Sequence, residues 1–313
     1  MTENFDSLRA VHFHRVDPGV DWSKDAGIAI DLDRPLDSTK ILTPNVIRLA
    51  TGGYRMYYTG LGPGGRGQGY ILSAYSNDAE VWAKEAGIRV DLSPPHAALR
   101  TLCPDVIPLV DGGYRMYFEA RTEGCPTVVL SALSEDGLGW EAESGVRFGD
   151  DEWSYGSPRC IYIDGESAYR LYFHRYTFHS RPGSDSVNII ISAVSADGLY
   201  FEEEAGTRIA QETERETYAV YAPEVLRLGD GTYRMYYAAW TEGIAGGVFT
   251  ATSADGLEWH KEEKACVDLG GPLDSHMVSE PCVIELEDGR CRMFYEARDS
   301  EGKCRILSAT SVG

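Results

Sequence analysis

A segment that returns five times constrains this chain more than any other feature. YRMYY at Tyr54 to Tyr58 reappears as YRMYF at Tyr114 to Phe118, YRLYF at Tyr169 to Phe173, YRMYY at Tyr233 to Tyr237 and CRMFY at Cys291 to Tyr295. Aromatic residues in this density favour strands, and a period of about 55 to 64 residues is that of one supersecondary unit in an array.

Each unit has the same internal order. A proline opens an apolar run: TPNVIRL from Thr43, CPDVIPL from Cys103, SPRCIYI from Ser157, APEVLRL from Ala222 and EPCVIEL from Glu280. A short turn rich in Gly and Asp leads into the YRMYY strand, and such turns join antiparallel neighbours. A third strand ends in serine (YILSAYS, VVLSALS, IIISAVS, VFTATS, RILSATS), and turns such as SEDGLGW and SADGLEW lead into a fourth, as in WAKEAGIRV. Four short antiparallel strands per unit describe a propeller blade. The expectation is an all-β, single-domain five-bladed β-propeller over residues 1–313. The fifth unit reaches Gly313 without a fourth strand, while DWSKDAGIAIDL from Asp21 fits that strand's pattern. A strand around 21–32 is therefore expected to complete the last blade and close the ring, removing exposed sheet edges. The recurring arginines (Arg55, Arg115, Arg170, Arg234, Arg292) are expected to lie over aromatic rings such as Trp82 or Trp140, or to pair with turn carboxylates.

Composition excludes several functions. A formal net charge of -20 speaks against nucleic acid, whose phosphates need a basic surface. The seven cysteines form no CxxC pair, so neither a zinc knuckle nor a dense disulfide framework is expected. No run approaches the roughly 20 apolar residues of a membrane helix, and the N-terminus lacks a signal-peptide pattern. A soluble, cytoplasmic protein with no membrane partner is expected. The glycine-rich Gly60 to Gly69 loop precedes no helical pattern and reads as a hairpin rim rather than a phosphate cradle.

A unit of proline, strand, glycine turn, tyrosine-rich strand and SxDGxxW turn resembles the five-bladed glycoside hydrolase superfamily, including families 43, 32, 68 and 130. The resemblance spans nearly the whole chain and implies the propeller fold and carboxylate chemistry on a carbohydrate. Family 43 carries an Asp base immediately before the first unit's proline and a Glu acid in a later one. Here Thr43 occupies the first of these positions, Asn45 follows the proline, and only the fifth unit has an acid directly before its proline, Glu280.

Residues repeated in every unit serve the unit, so function is sought where equivalent positions diverge. The start of the first strand and the end of the second lie on one rim, which brings Asn45, Asp105, Arg159, Glu224 and Glu280 together with Glu119, His174 and Glu296. Two carboxylates with environment-split pKa values would act as general acid and base. Glu224 is the expected acid, Asp105 or Glu280 the base or modulator, and His174 a further acid/base. Asn45, Glu119, Tyr155, Arg159, Arg175, Trp240, His276 and Glu296 are expected to bind substrate. The bland alternative is an ordinary polar lining in which the acids pair with arginines. No cofactor is expected. A metal held by His174 with His12, His14 or His276 stays a lesser alternative to a hydrogen-bonding histidine, and Cys103, Cys160 and Cys282 read as buried structural thiols. The 173–186 stretch, FHRYTFHSRPGSDS with His179, is the longest insertion and reads as a substrate lid. A small carbohydrate or glycoside is the expected substrate. Two other readings remain: a lyase or cyclase acting on a small metabolite, and a non-catalytic carbohydrate-binding scaffold. Oligomeric state is not legible.

Overall fold

Period-two alternation and glycine turns produce a chain of antiparallel meanders. The computed structural model describes residues 12–63, 68–163, 168–178 and 186–312; His179 and parts of the glycine-rich loop and of the 173–186 insertion lie outside the described residues. Unit one comprises Lys40–Arg48, Tyr54–Leu61, Gly69–Ser76 and Ala83–Lys84. Unit two comprises Arg100–Pro108, Tyr114–Arg121, Val128–Ser134 and Glu141–Ala142. Unit three runs Trp153–Ile163, Ala168–Thr177, Asn188–Ser195 and Glu202–Glu203, and unit four Ala219–Leu228, Tyr233–Thr241, Ile244–Ser253 and His260–Lys261. Unit five has Met277–Glu285, Cys291–Arg298 and Cys304–Ser311. Within each unit neighbouring strands pair antiparallel, and the structure is all-β with no helix among the described residues.

The fourth strand is shorter than the sequence pattern implies. It pairs over two residues, breaks at a glycine or lysine turn, and returns for one isolated bridge, as at Ile71↔Val90 and Val129↔Phe148. The N-terminal Trp22–Lys24 stands in this relation to unit five, antiparallel to Ser311, Thr310 and Ala309, with Ile30↔Ile306 as the bridge.

The recurring arginine has a definite role. Arg55 donates to both carboxylate oxygens of Glu85 in its own unit (2.9 and 3.0 Å) and to the Asp136 carbonyl in the turn of unit two (2.9 Å). Arg115 repeats this with Glu143 and the Asp197 carbonyl, and Arg170 with Glu204 and the Asp255 carbonyl. Two residues on, the tyrosine hydroxyls of Tyr57, Tyr117 and Tyr172 donate to the next turn's glycine carbonyl at 2.8 to 2.9 Å. The same rings meet the aromatic that follows that turn edge-on, as in Tyr57 with Trp140 and Tyr172 with Trp259. In these three units the carboxylate partner is the residue just after the short fourth strand and the turn offers its backbone, whereas Arg234 pairs with both Glu262 and Asp17 and Arg292 reaches Glu80 in unit one's turn at 3.1 Å, a turn carboxylate as expected. Turn aspartates such as Asp136 are occupied locally, accepting from the Leu138 and Gly139 N–H groups.

Candidate functional site

The site is set by one backbone device used five times. In every first strand the pairing skips across the proline, from Leu42↔Thr59 to Asn45↔Tyr57 in unit one and equivalently at Leu102/Asp105, Gly156/Arg159, Tyr221/Glu224 and Ser279/Cys282. The residue before each proline has positive φ: Thr43 53°, Cys103 49°, Ser157 48°, Ala222 52° and Glu280 50°. None is glycine, so each costs on the order of 1–3 kcal/mol. Such a bulge re-aims side chains, and it sorts the residues flanking the proline into two tiers.

The tier after the proline is a belt. Asn45 Oδ1 accepts from the Val106 N–H (3.1 Å), Asp105 Oδ2 from Cys160 N–H (2.7 Å), Glu224 Oε1 from Val283 N–H (2.9 Å) and Cys282 Sγ from Val46 N–H (3.2 Å). Each therefore ties its unit to the following one. Arg159 supplies the remaining link through a 2.9 Å bond to Glu224 Oε2, and its other nitrogens donate to the carbonyls of Pro44, Pro104 and Pro158. Glu224 and Asp105, the expected acid and base, are fully buried in this belt with both oxygens engaged, and so are Asn45 and Arg159. His12 approaches Asp105 at 3.6 Å; burial lowers its pKa, but the Asp105 and Glu224 charges outweigh this and hold it above the usual value.

The tier before the proline faces the mouth, where first strands begin and second strands end. Here the divergent residues after YRMYY reach the neighbouring unit's bulge: Thr59 Oγ1 accepts from Cys103 N–H (3.2 Å), Glu119 from Ser157 N–H and Glu296 from Thr43 N–H. Three glutamates collect at this level. Ser157 Oγ donates to Glu280 Oε1 (2.9 Å), whereas Glu280 Oε2 is buried without a hydrogen-bond partner among the described residues. Burial pushes Glu280 up to about 7, opposed by Arg159 and Ser157 and reinforced by Glu119. Burial and then the Glu280 charge push Glu296 up to about 8. Glu119 is raised by burial against the pull of Arg121, and it takes the Cys103 S–H at 3.5 Å. Gly156 is glycine for a spatial reason, since a Cβ there would overlap the Glu119 carboxylate.

The remaining expected residues scatter. His174 stacks on Tyr176 (4.7 Å between centroids) and bonds Asn188 Oδ1 at 3.1 Å; burial lowers it to about 4, which makes it a neutral hydrogen-bonding group near pH 7. Arg175 points from the opposite strand face to Glu203 (3.1 Å) and over Trp153. Tyr155 is buried between Phe148 and Phe173 with its hydroxyl on Asp150, in the packing between units. Trp240 is half-buried beside Tyr218, and His276 is held by Ser275 Oγ at 3.0 Å. Among the described residues no three His, Cys, Asp or Glu side chains are grouped to hold a metal ion. Tyr221 is a mouth residue that sequence reasoning passed over. It lies 5.8 Å from His174, bonds the Ser279 side chain, and is pushed up by burial and by the Glu280 charge. Its signal was divergence two places before the proline, where Leu42, Leu102, Gly156 and Ser279 stand in the other units.

Comparison with solved structures decides the architecture. A "Glycoside hydrolase" superposes with a TM-score of 0.80 at 16% identity, covering 94% of this chain and 93% of that one. The fold is that of the propeller glycoside hydrolases. A thermostable family-43 glycoside hydrolase aligns with a TM-score of 0.68 at 16% identity (88% and 90% covered). A structure titled for the GH130 family of mannoside phosphorylases and hydrolases of β-1,2 mannosidic linkages in Candida mannan gives 0.73 at 12% identity (95% and 96%). In sequence, the Mycobacterium tuberculosis proteins "Uncharacterized protein MT1551" and "Uncharacterized protein Rv1502" are 35% and 34% identical over 130 residues, or 40% of this chain. The match spans 42% of the length of each of these relatives. No family model matches the chain.

Proposed function

We propose that this chain is a glycoside-hydrolase-like enzyme acting by carboxylate acid/base chemistry on a saccharide at the mouth of a single five-bladed propeller. The five units, with Trp22–Lys24 in the place of unit five's fourth strand, support reading the ring as closed by the N-terminal segment. One observation carries the chemistry: Glu280 is buried at the mouth, held near pKa 7, with one oxygen fixed by Ser157 and the other unpartnered. A carboxyl group still protonated near neutral pH is what protonation of a departing glycosidic oxygen requires. Glu296, beside it electrostatically, and Glu119, across Ser157 and Cys103, are the companion carboxyls, and Tyr221 is poised to hydrogen-bond substrate. This reading moves the acid from Glu224, whose oxygens serve the belt, to Glu280, and leaves Asp105 as a structural residue. The solved neighbours do not favour the lyase, cyclase or scaffold alternatives. The test is a screen of aryl glycosides and oligosaccharides, with Glu280→Gln and Glu296→Gln beside the wild type. Turnover that both substitutions leave intact would remove the assignment.

A further inference from the structure

Two of the residues that precede the prolines are joined to each other and to two of the mouth glutamates. Ser157 Oγ donates to Glu280 Oε1 at 2.9 Å and lies 3.7 Å from Cys103 Sγ, and Cys103 Sγ lies 3.5 Å from Glu119 Oε2. The two longer contacts suit sulfur, a large atom that donates and accepts weakly. Hydrogen bonds therefore run without a break from Glu280 through Ser157 and Cys103 to Glu119, that is, from unit five to unit three to unit two. Unit four is passed at Ala222, the one residue before a proline that has no polar side-chain atom.

The chemistry of these groups suits the movement of protons. A hydroxyl and a thiol each carry one hydrogen and can accept another on a lone pair, so a proton that enters such a chain at one end can release a different one at the other. All four residues are buried, none more than 8% exposed, which shields the carboxyls from direct exchange with bulk water. Burial, and then the charges of Glu119 and Glu280, hold the Cys103 thiol well above its usual pKa, so it keeps its hydrogen and is no nucleophile. Arg159, Glu296 and Tyr221 also face Glu280, while Arg100, Arg121 and Tyr176 face Glu119. Two cations thus favour the ionised form of Glu119, against one at Glu280, where the Glu119 charge opposes ionisation. The chain is polarised, with its acid end at Glu280 and its base end at Glu119.

We propose that Ser157 and Cys103 form a proton-return path between Glu119, the base, and Glu280, the acid. The inference rests on the glycoside-hydrolase reading above and names the residues that reset its two carboxyls. In the hydrolysis Glu280 gives its proton to the departing glycosidic oxygen as the bond from that oxygen to the anomeric carbon breaks. Glu119 takes a proton from the water whose oxygen bonds to that carbon. The turnover leaves Glu280 ionised and Glu119 protonated. Reset passes the proton of Glu119 to Cys103 Sγ, the thiol's own hydrogen to Ser157 Oγ, and the serine's own hydrogen to Glu280, so that Cys103 and Ser157 end as they began. Both are positioning residues, since each acts through the carboxyls.

The full chain is tested in two ways. On whichever aryl glycoside or oligosaccharide it turns over, Cys103→Ala is expected to leave the rate of a single turnover, measured with enzyme in excess, unchanged. Steady-state kcat should fall by about 10-fold or more, and Cys103→Ser should restore it. Ala222 holds the same backbone conformation in unit four, so alanine suits position 103; if Cys103→Ala fails to fold, Ser157→Ala cuts the path at its next link and carries the steady-state comparison. Infrared spectroscopy needs no substrate. The S–H stretching band of Cys103, identified by its loss in Cys103→Ser, is expected to shift with the titration of Glu280, followed through the carboxyl band that Glu280→Gln removes. That shift should vanish in Ser157→Ala. An S–H band indifferent to Glu280, or turnover with unaltered kcat in Cys103→Ala, would overturn the path and leave the hydrolase reading standing. A single-turnover rate that falls as far as kcat, or a loss that Cys103→Ser does not restore, would mark Cys103 as a packing residue and overturn it too. No turnover of any saccharide would defeat both readings.

Discussion

Glu280 and Glu296 are two carboxyls raised by burial, with Arg159 opposing the rise at the first and Lys40 and Arg298 at the second, and their protonation is the residue-level property the proposed chemistry depends on. Glu280→Gln keeps the size and one hydrogen-bonding atom but cannot deliver a proton; it is expected to lower kcat by about 100-fold or more on any substrate found, measured by steady-state kinetics. The sign of the pH effect on stability follows from the raised pKa values. Between the ordinary glutamate value of 4.5 and about 8, the folded protein binds more protons at these two groups than the unfolded chain does. Their contribution is therefore fully present below 4.5 and is lost as pH rises toward 8. Urea midpoints measured across that window should fall with pH, and the fall should flatten in the Glu280→Gln/Glu296→Gln double variant. Gly156→Ala places a methyl group in the Glu119 carboxylate's space; about 1–3 kcal/mol of stability should be lost, and Glu119→Ala in the same chain should restore part of it.

At the scale of the element, the bulge explains why part of the site was legible in the sequence and part was not. The four-strand order, the serine that ends the third strand and the divergent residues after YRMYY all repeat with one spacing, and their roles follow from alternation alone. The two residues flanking each proline look equivalent in a linear pattern. Only the positive φ before the proline separates them, turning Thr43, Cys103, Ser157, Ala222 and Glu280 toward the mouth and leaving Asn45, Asp105, Arg159, Glu224 and Cys282 in the belt. Glu224 and Asp105 attracted attention as acids in divergent positions; that they serve backbone N–H groups of the next unit is a long-range fact no local pattern records. Arg175 misled for the opposite reason, since it stands one residue from His174 where Arg121 and Arg298 stand two from their glutamates, and an odd offset changes face. The arginine of the strand repeat offers an element-scale prediction. Arg115→Lys keeps the charge but loses the fork that spans Glu143 and the Asp197 carbonyl, and should cost about 1–2 kcal/mol in urea unfolding, with most of the cost absent when Glu143 is already glutamine.

For the whole molecule, the pairing of Trp22–Lys24 with unit five is the place to test the proposed ring closure. Trp22 meets Tyr236 edge-on at 5.6 Å, as Trp140 meets Tyr57 at 5.7 Å within the continuous part of the chain. If the N-terminal strand serves as unit five's outer strand, Trp22→Ala and Trp140→Ala should lower stability by similar amounts, about 3 kcal/mol each, in one cooperative transition. An unchanged urea midpoint for Trp22→Ala alone would show that the pairing carries no load. The two tiers of the central strands have a consequence for how such a protein can change. The belt side chains after each proline tie unit to unit by themselves, while the tier before the proline adds the ties of Thr59, Glu119 and Glu296 to the next bulge. A replacement at Ala222 can therefore change the tier before the prolines while the belt beneath it keeps all its fastenings, whereas one at Thr43 also gives up a 2.8 Å bond to Thr59 Oγ1. The five units thus share one fixed mount, and the residue before each proline is a fitting that differs from unit to unit.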